Sequence, residues 1–270
     1  MPRRTVVLIT AAALLLCYAA TLRTLAGIWW QDEDLGYCFA VSFVALWVIW
    51  RERGRWRKTP IEPSRWGFAI LAIGAAIHVM ALMGIGVFTA SVALLVSVVG
   101  AVVAIGGFPY LRAWAFPLLL LLFMLPKLVI VYNQITLPME LLATRLAAGM
   151  LTLTGATVIR EGNVLDVRGH SVAVAEACNG MRYLMALGFI GVIFAYIADS
   201  RPWMRVALLL ASVPVAILGN ALRVAAAGYA PVLDSGQPHE ISGWIIFLVC
   251  VFVLVTFRGV LHAAGRWRHA

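Results

Sequence analysis

The chain has 270 residues, of which 63% are apolar and 12% charged, and its formal net charge is +9. Soluble domains have roughly 45–50% apolar and 25% charged residues, so the composition excludes an ordinary soluble protein. The basic residues lie in short segments between apolar runs, a pattern that sets membrane orientation and argues against a nucleic-acid partner. We interpret 1–270 as a single integral membrane domain.

Eight apolar runs are predicted to cross the membrane, whose hydrocarbon core of about 30 Å takes roughly 20 helical residues. The predicted spans are 5–24, 35–50, 66–86, 87–106, 113–131, 181–198, 204–226 and 243–260. The first apolar run is longer than the about 7–15 residues of a signal-peptide core, so we expect a retained anchor. The fold class is an all-α polytopic membrane protein.

The distribution of basic residues predicts the orientation. With the N-terminus inside, the inner segments and the edge residue Arg205 hold 14 of the 21 Lys and Arg residues. The inner segments are 1–4, 51–65, 107–112, 199–203 and 258–270. Positive residues are enriched on the inner side of membrane proteins, so both termini are predicted to lie inside.

The long outer segment 132–180 has internal order. Residues 137–154 have the spacing of an amphipathic helix, lying either on the outer surface or against the helix bundle. Residues 158–169 predict a short hairpin that turns at Glu161-Gly162-Asn163. A second extended piece, 171–175, leads towards Cys178.

Cys178 is the candidate nucleophile. It stands just before the span 181–198, and the partial positive charge of a helix N-terminus lowers a thiol pKa; Arg182, one turn on, adds positive charge. The other cysteines, Cys17, Cys38 and Cys250, lie in or at the ends of apolar runs and form no CxxC pair, so neither a redox motif nor a zinc site is indicated. Position alone leaves a packing role for Cys178 equally open.

Arg223 lies near the outer end of the span 204–226, where a charged residue is costly and a functional role is the default interpretation. Asn220 is three residues earlier and therefore on the same helix face. Together they could hold a carbonyl oxygen or a carboxylate. The alternative is an arginine that reaches the interface with its long side chain.

Two histidines can reach the level of Cys178. His239 lies in the outer loop 234–240, and His170 lies in the extended piece eight residues before the cysteine. Either histidine could act as the base. Glu176 could orient a histidine, pair with Arg182 or simply be solvated.

The segment 174–184, Val-Ala-Glu-Ala-Cys-Asn-Gly-Met-Arg-Tyr-Leu, resembles the signature around the active cysteine of the exosortase/archaeosortase family. Asn220-Ala-Leu-Arg223 is similar to its Asn-x-x-Arg element, and His239, with Gly and Trp at 243–244, is similar to its histidine element. The resemblance covers roughly 110–260. One departure is Asn179, where Ser is more usual.

The resemblance implies a membrane-embedded cysteine transpeptidase or protease that forms a thioester and needs no cofactor or metal. The catalytic residues would be Cys178, Arg223 and His239. Substrate-binding or orienting roles would fall to Asn220, Asn179, Arg182 and Glu176. The chain would then divide into four N-terminal spans in 1–112, a catalytic core in 113–260 and a basic cytoplasmic tail in 261–270.

The resemblance also implies the substrates and the location. The substrates would be exported proteins that end in a short motif, usually Pro-Glu-Pro, followed by one membrane helix and a basic tail. The enzyme would be a multi-pass protein of the bacterial inner membrane, surrounded by membrane lipid, with its active site facing the periplasm. Such families are linked with exopolysaccharide production.

The alternative function is non-enzymatic, either a polytopic transporter or a subunit of an exopolysaccharide-export complex. In that case Arg223 and Asn220 would line a substrate path, and Cys178 would be dispensable. The sequence has no P-loop and no HExxH motif, so neither nucleotide nor zinc chemistry is predicted.

Overall fold

The computed structural model describes residues 2–32, 34–173, 180–198 and 201–267. The chain is mostly helical and divides into two compact units, Met1–Leu128 and Val129–Ala270. Helices predominate because a backbone inside a bilayer must satisfy its own hydrogen bonds. The mostly helical fold confirms the predicted all-α polytopic class. The division into four N-terminal spans, a catalytic core and a basic tail stays a prediction.

The described part of the first unit has seven helices. They are α1 (Arg3–Cys17), α2 (Ala19–Gln31), α3 (Cys38–Arg51), α4 (Arg53–Trp56), α5 (Trp66–Met80), α6 (Val87–Ala113) and α7 (Ala115–Leu120). A π-helical turn, Ala81–Ile85, follows α5, and a 3-10 turn, Leu121–Met124, follows α7. Helices α1 and α2 meet at a bend of 65°, so the predicted span 5–24 is a broken helix.

Helices α5 and α6 pack closely because glycines remove side chains from their interface. A Cβ at Gly67 would lie 2.2 Å from the Ala104 nitrogen, and a Cβ at Gly74 would lie 2.3 Å from the Ser97 hydroxyl oxygen. Small residues allow this backbone approach between membrane helices. The helical path of α6 breaks at Gly107, whose φ is +80°, in agreement with the predicted end of the span 87–106.

Within its described residues, the second unit contains four helices and a small sheet. Its elements are α8 (Val129–Leu153), β1 (Val158–Glu161), β2 (Val164–Val167), β3 (His170–Ala173), α9 (Met181–Ala198), α10 (Pro202–Tyr229) and α11 (Gly236–Trp267). The strands form an antiparallel sheet in the order β1-β2-β3. The predicted hairpin is confirmed, and part of the extended piece 171–175 is its third strand.

Helix α8 and the sheet pack against the C-terminal half of α10. A buried apolar cluster joins all three: Ala147, Leu151, Ala156, Leu165, Val167, Val224 and Ala225. At Gly228 of α10 an added Cβ would lie 3.1 Å from Val167 and 3.3 Å from Leu151. Of the two positions predicted for the amphipathic helix, the structure therefore selects the one against the bundle.

Four helices are long and apolar enough to cross a membrane, or up to six if each bent pair forms one span, within the described residues. Helix α3 and the segment Met181–Ile197 of α9 are shorter apolar helices. This establishes a multi-pass membrane protein. The count of eight spans is not established.

The predicted span 113–131 is wrong as a single helix. Helix α7 and its 3-10 turn end at Met124, α8 begins at Val129, and the two segments are bent by 77°. The reason is Pro126: the residue before a proline is driven out of the helical region, and Leu125 has φ −66° and ψ 135°. The loop predicted at 234–240 is also mostly helix, since α11 begins at Gly236.

Candidate active site

Three helix ends of the second unit hold the described site residues. Arg182 is the second residue of α9 and is half-buried. Asn220 and Arg223 lie on α10, and His239 lies in the first turn of α11. The other predicted site residues, Glu176, Cys178 and Asn179, lie outside the described residues, so their roles stay predictions.

Gly180 brings the start of α9 against α10. Its φ is +85°, a conformation that favours glycine, and its carbonyl oxygen accepts a hydrogen bond from the Leu184 nitrogen at 2.9 Å. A Cβ at this position would lie 3.0 Å from Nδ2 of Asn220, which is itself only 1% exposed. Because Gly180 has no side chain, its backbone can approach the buried Asn220 amide closely.

Arg223 is a buried cation. It is 5% exposed, its guanidinium carbon lies 5.7 Å from the centre of the Tyr183 ring, and its Nη2 donates a long hydrogen bond of 3.5 Å to the His239 carbonyl oxygen. Among the described residues no carboxylate forms an ion pair with Arg223, and its Nε has no hydrogen-bond partner. A guanidinium over a ring face is attracted by the ring quadrupole, which offsets part of the cost of burying the charge.

Tyr183 and Gly243 complete this contact. The Tyr183 hydroxyl donates a hydrogen bond of 2.9 Å to the Gly243 carbonyl oxygen. A Cβ at Gly243 would lie 3.2 Å from both Nη2 of Arg223 and the Tyr183 hydroxyl oxygen. The motif 174–184 contains Tyr183, but the sequence pattern indicated no role for this residue. The signal that could have found it is its position one residue after Arg182, because a buried tyrosine hydroxyl usually needs a hydrogen-bond partner.

His239 is held through Nδ1. This nitrogen lies 2.8 Å from the Leu233 carbonyl oxygen, and a carbonyl only accepts, so Nδ1 carries the hydrogen. The neutral ring then has its lone pair on Nε2, which is the arrangement that a general base requires. The His239 carbonyl oxygen also accepts a hydrogen bond of 2.8 Å from the Ser242 hydroxyl.

His170, the alternative base, begins β3 and pairs with Val167 across the sheet. Its Nε2 is buried and has no hydrogen-bond partner among the described residues. Arg223 contacts the backbone of His239, and the choice between the two imidazoles as base stays a prediction. Within the described residues no cluster of three or more His, Cys, Asp or Glu side chains could hold a metal ion.

The family model described as transmembrane exosortase (Exosortase_EpsH) matches residues 29–256, and the chain belongs to this family. The matched region begins well before residue 110. The range of roughly 110–260, over which the motifs indicated the resemblance, was therefore too short at its N-terminal end. No curated protein and no solved structure matches the chain. Family membership supports a transmembrane, sorting-related peptidase that acts on membrane-associated substrates carrying sorting signals.

Proposed function

We propose that the protein is a cysteine peptidase or transpeptidase that cleaves the C-terminal sorting signal of exported proteins through a thioester on Cys178. The observation that carries the proposal is the pair of buried polar residues on α10: Asn220 lies against Gly180, and Arg223 contacts the Tyr183 ring and the His239 carbonyl oxygen. Cys178 stands two residues before this glycine. A thiol, an imidazole with a fixed tautomer, a buried cation and an amide are groups that acyl transfer uses.

Covalent geometry limits the distance between the thiol and this group. Two residues of chain span at most about 7 Å, and Gly180 packs directly against Asn220. This closeness in sequence supports a shared role for Cys178 and Asn220 in the proposed site.

In the proposed reaction the Cys178 sulfur attacks the scissile carbonyl carbon while Nε2 of His239 takes the thiol proton. The tetrahedral intermediate collapses to a thioester, and the imidazolium returns the proton to the departing amine. An amine or hydroxyl acceptor then displaces the cysteine, which gives transfer, or water does so, which gives hydrolysis. The hydrogen bond from His239 to Leu233 fixes the required tautomer.

Arg223 would stabilise the oxyanion that develops on the scissile carbonyl, or hold the substrate. Two features support this role: the side chain is buried without a carboxylate partner among the described residues, and Tyr183 fixes its position. Asn220 lies on the same face of α10 and orients the group, with supporting roles for Arg182, Asn179 and Glu176. A preorganised donor needs no reorganisation when the charge forms.

We further propose about eight spans with both termini inside and the site at the outer face of a bacterial inner membrane. The two bent helix pairs, the four long helices and the two shorter apolar helices supply the segments for that count. A substrate whose membrane helix is followed by a basic tail would keep the tail inside and present its motif, Pro-Glu-Pro or similar, at the level of Cys178.

Co-expression with a substrate that carries a Pro-Glu-Pro motif, a membrane helix and a basic tail tests the proposal. We expect its C-terminus to be processed by the wild type and not by Cys178→Ala. Cys17→Ala is the matched control, because Cys17 is an exposed cysteine of α1. The mass of the product separates hydrolysis from transfer. Processing by an inserted Cys178→Ala protein would overturn the cysteine mechanism. No processing by either form, with both inserted, would favour a different cognate signal or the transport or export alternative.

A further inference from the structure

The segment that follows α3 carries a dense positive charge. Five of the eight residues in 51–58 are basic: Arg51, Arg53, Arg55, Arg57 and Lys58. All five are exposed. Glu52 is the one acid in this stretch, and it pairs with Arg55 at 3.6 Å, where the arginine side chain stays 65% exposed. The local positive charge is therefore only weakly compensated.

Three of these arginines lie over tryptophan rings. The guanidinium carbons of Arg51, Arg53 and Arg57 are 5.1, 4.4 and 5.7 Å from the ring centres of Trp47, Trp50 and Trp56. Cations within about 6 Å of a ring centre are attracted to its face. Each stack restricts a side chain that would otherwise be free to move, so three guanidinium groups are held near the same helix end. We call residues 47–58 the Trp–Arg segment.

The Trp–Arg segment directly follows the exposed apolar part of α3. Helix α3 presents exposed apolar side chains, including Phe43 and Leu46, just before the stacked residues. Trp47 and Trp50 are also exposed, and tryptophans are enriched where membrane helices leave the hydrocarbon core. Guanidinium groups that directly follow such tryptophans are well placed to meet lipid phosphates.

We propose that the Trp–Arg segment binds the headgroups of anionic phospholipids, with Arg51, Arg53 and Arg57 receiving the phosphate oxygens. Guanidinium groups bind phosphate in a bidentate manner, and basic clusters that directly follow a membrane helix attract anionic lipid. The positive-inside pattern assigns the segment to the inner leaflet. This inference concerns the first unit and does not depend on the proposed peptidase activity.

Native mass spectrometry of the purified full-length protein, titrated with phosphatidylglycerol or phosphatidylcholine, tests the proposal. We compare the wild type with Arg51→Gln/Arg53→Gln/Arg57→Gln. The matched control is Arg23→Gln/Arg145→Gln/Arg160→Gln, which removes the same charge at three other exposed arginines. Each basic residue near an anionic surface contributes about fivefold in affinity, so we expect roughly 100-fold weaker phosphatidylglycerol binding in the first variant and little change in the control.

A third variant, Arg51→Lys/Arg53→Lys/Arg57→Lys, keeps the charge and loses the planar groups; we expect intermediate binding. Equal affinity of the wild type for the two lipids would overturn the proposal. So would an equal loss of phosphatidylglycerol affinity in the first glutamine variant and in its control. Competition by millimolar inorganic phosphate would show a free-phosphate site rather than a headgroup site and would also overturn it. The same applies if a single-stranded RNA oligonucleotide binds more tightly than phosphatidylglycerol.

Discussion

At the scale of single residues, Arg223 makes the contacts that join the helices of the candidate site. Its guanidinium contacts the Tyr183 ring, the Gly243 backbone and the His239 carbonyl oxygen. It thereby links the starts of α9 and α11 to α10. A buried charge without an ion-pair partner among the described residues is costly, and a substrate oxyanion would compensate for it.

Substitution of Arg223 separates its charge from its shape. Because loss of one oxyanion donor commonly costs about 10²–10³ in rate, we expect Arg223→Gln to lower the rate of substrate processing by that amount. Arg223→Lys should recover only part of it, since an ammonium group cannot reproduce the planar contact with Tyr183. Processing rates in isolated membranes provide the measurement. A fully active Arg223→Gln protein would exclude Arg223 from catalysis.

Gly180 tests the contact between α9 and α10. Gly180→Ala places a Cβ 3.0 Å from Nδ2 of Asn220 and forces a non-glycine residue into φ +85°. A residue held in a disfavoured backbone region costs about 1–3 kcal/mol, so we expect weaker thermal stability and much slower processing. Gly180→Ala/Asn220→Ala should recover part of the stability, because the steric component is removed while the backbone strain remains. No recovery would show that strain alone accounts for the loss.

The sequence singled out the candidate site residues as patterns, but it did not predict their contacts. Arg223 in an apolar run and the motif at 174–184 were visible as patterns, and Asn220 followed from helix periodicity. The hydrogen bond between Tyr183 and Gly243 was not predictable, because it joins residues 60 positions apart and depends on how three helix ends meet. The tautomer of His239 depends in the same way on the position of the Leu233 carbonyl.

At the scale of elements, the sheet packs against the C-terminal half of α10. Leu165 and Val167 of β2 face Ala147, Leu151 and Val224. Hydropathy predicted the hairpin and the amphipathic helix, but it did not predict how they pack, since α8 and the sheet bury each other's apolar faces. The break between α7 and α8 was missed because the apolar run continues across Pro126 while the helix does not.

Leu165→Ala tests the docking of the sheet. Leu165 is fully buried, and truncating a buried leucine to alanine typically costs about 2–5 kcal/mol. We expect faster proteolysis within 156–173 and a lower unfolding temperature. The matched control is Ile159→Ala in β1, where the side chain is 60% exposed and the loss should be below about 0.5 kcal/mol. Equal effects of the two substitutions would contradict the packing.

At the scale of the whole molecule, the family match from 29 to 256 includes residues of both compact units. The motifs in the second unit carried the resemblance because they are chemically specific. Apolar helices of the first unit carry little sequence information beyond their length and hydrophobicity, so their relationship to the family was not recognisable from the residues alone. Composition predicted that they are membrane helices.

The orientation of the chain is a prediction at this largest scale. Positive residues are concentrated in the segments assigned to the inner side, and retention of such residues inside fixes membrane orientation. A green fluorescent protein fused after residue 267 should therefore fluoresce, since it matures in the cytoplasm. Alkaline phosphatase inserted at Gly162, in the turn between β1 and β2, should be active, since it requires the periplasm. Insertion after Gly54, within the short helix α4, provides the inner control and should leave the phosphatase inactive. The reverse pattern would place the candidate site in the cytoplasm, where the proposed exported substrates would not meet it.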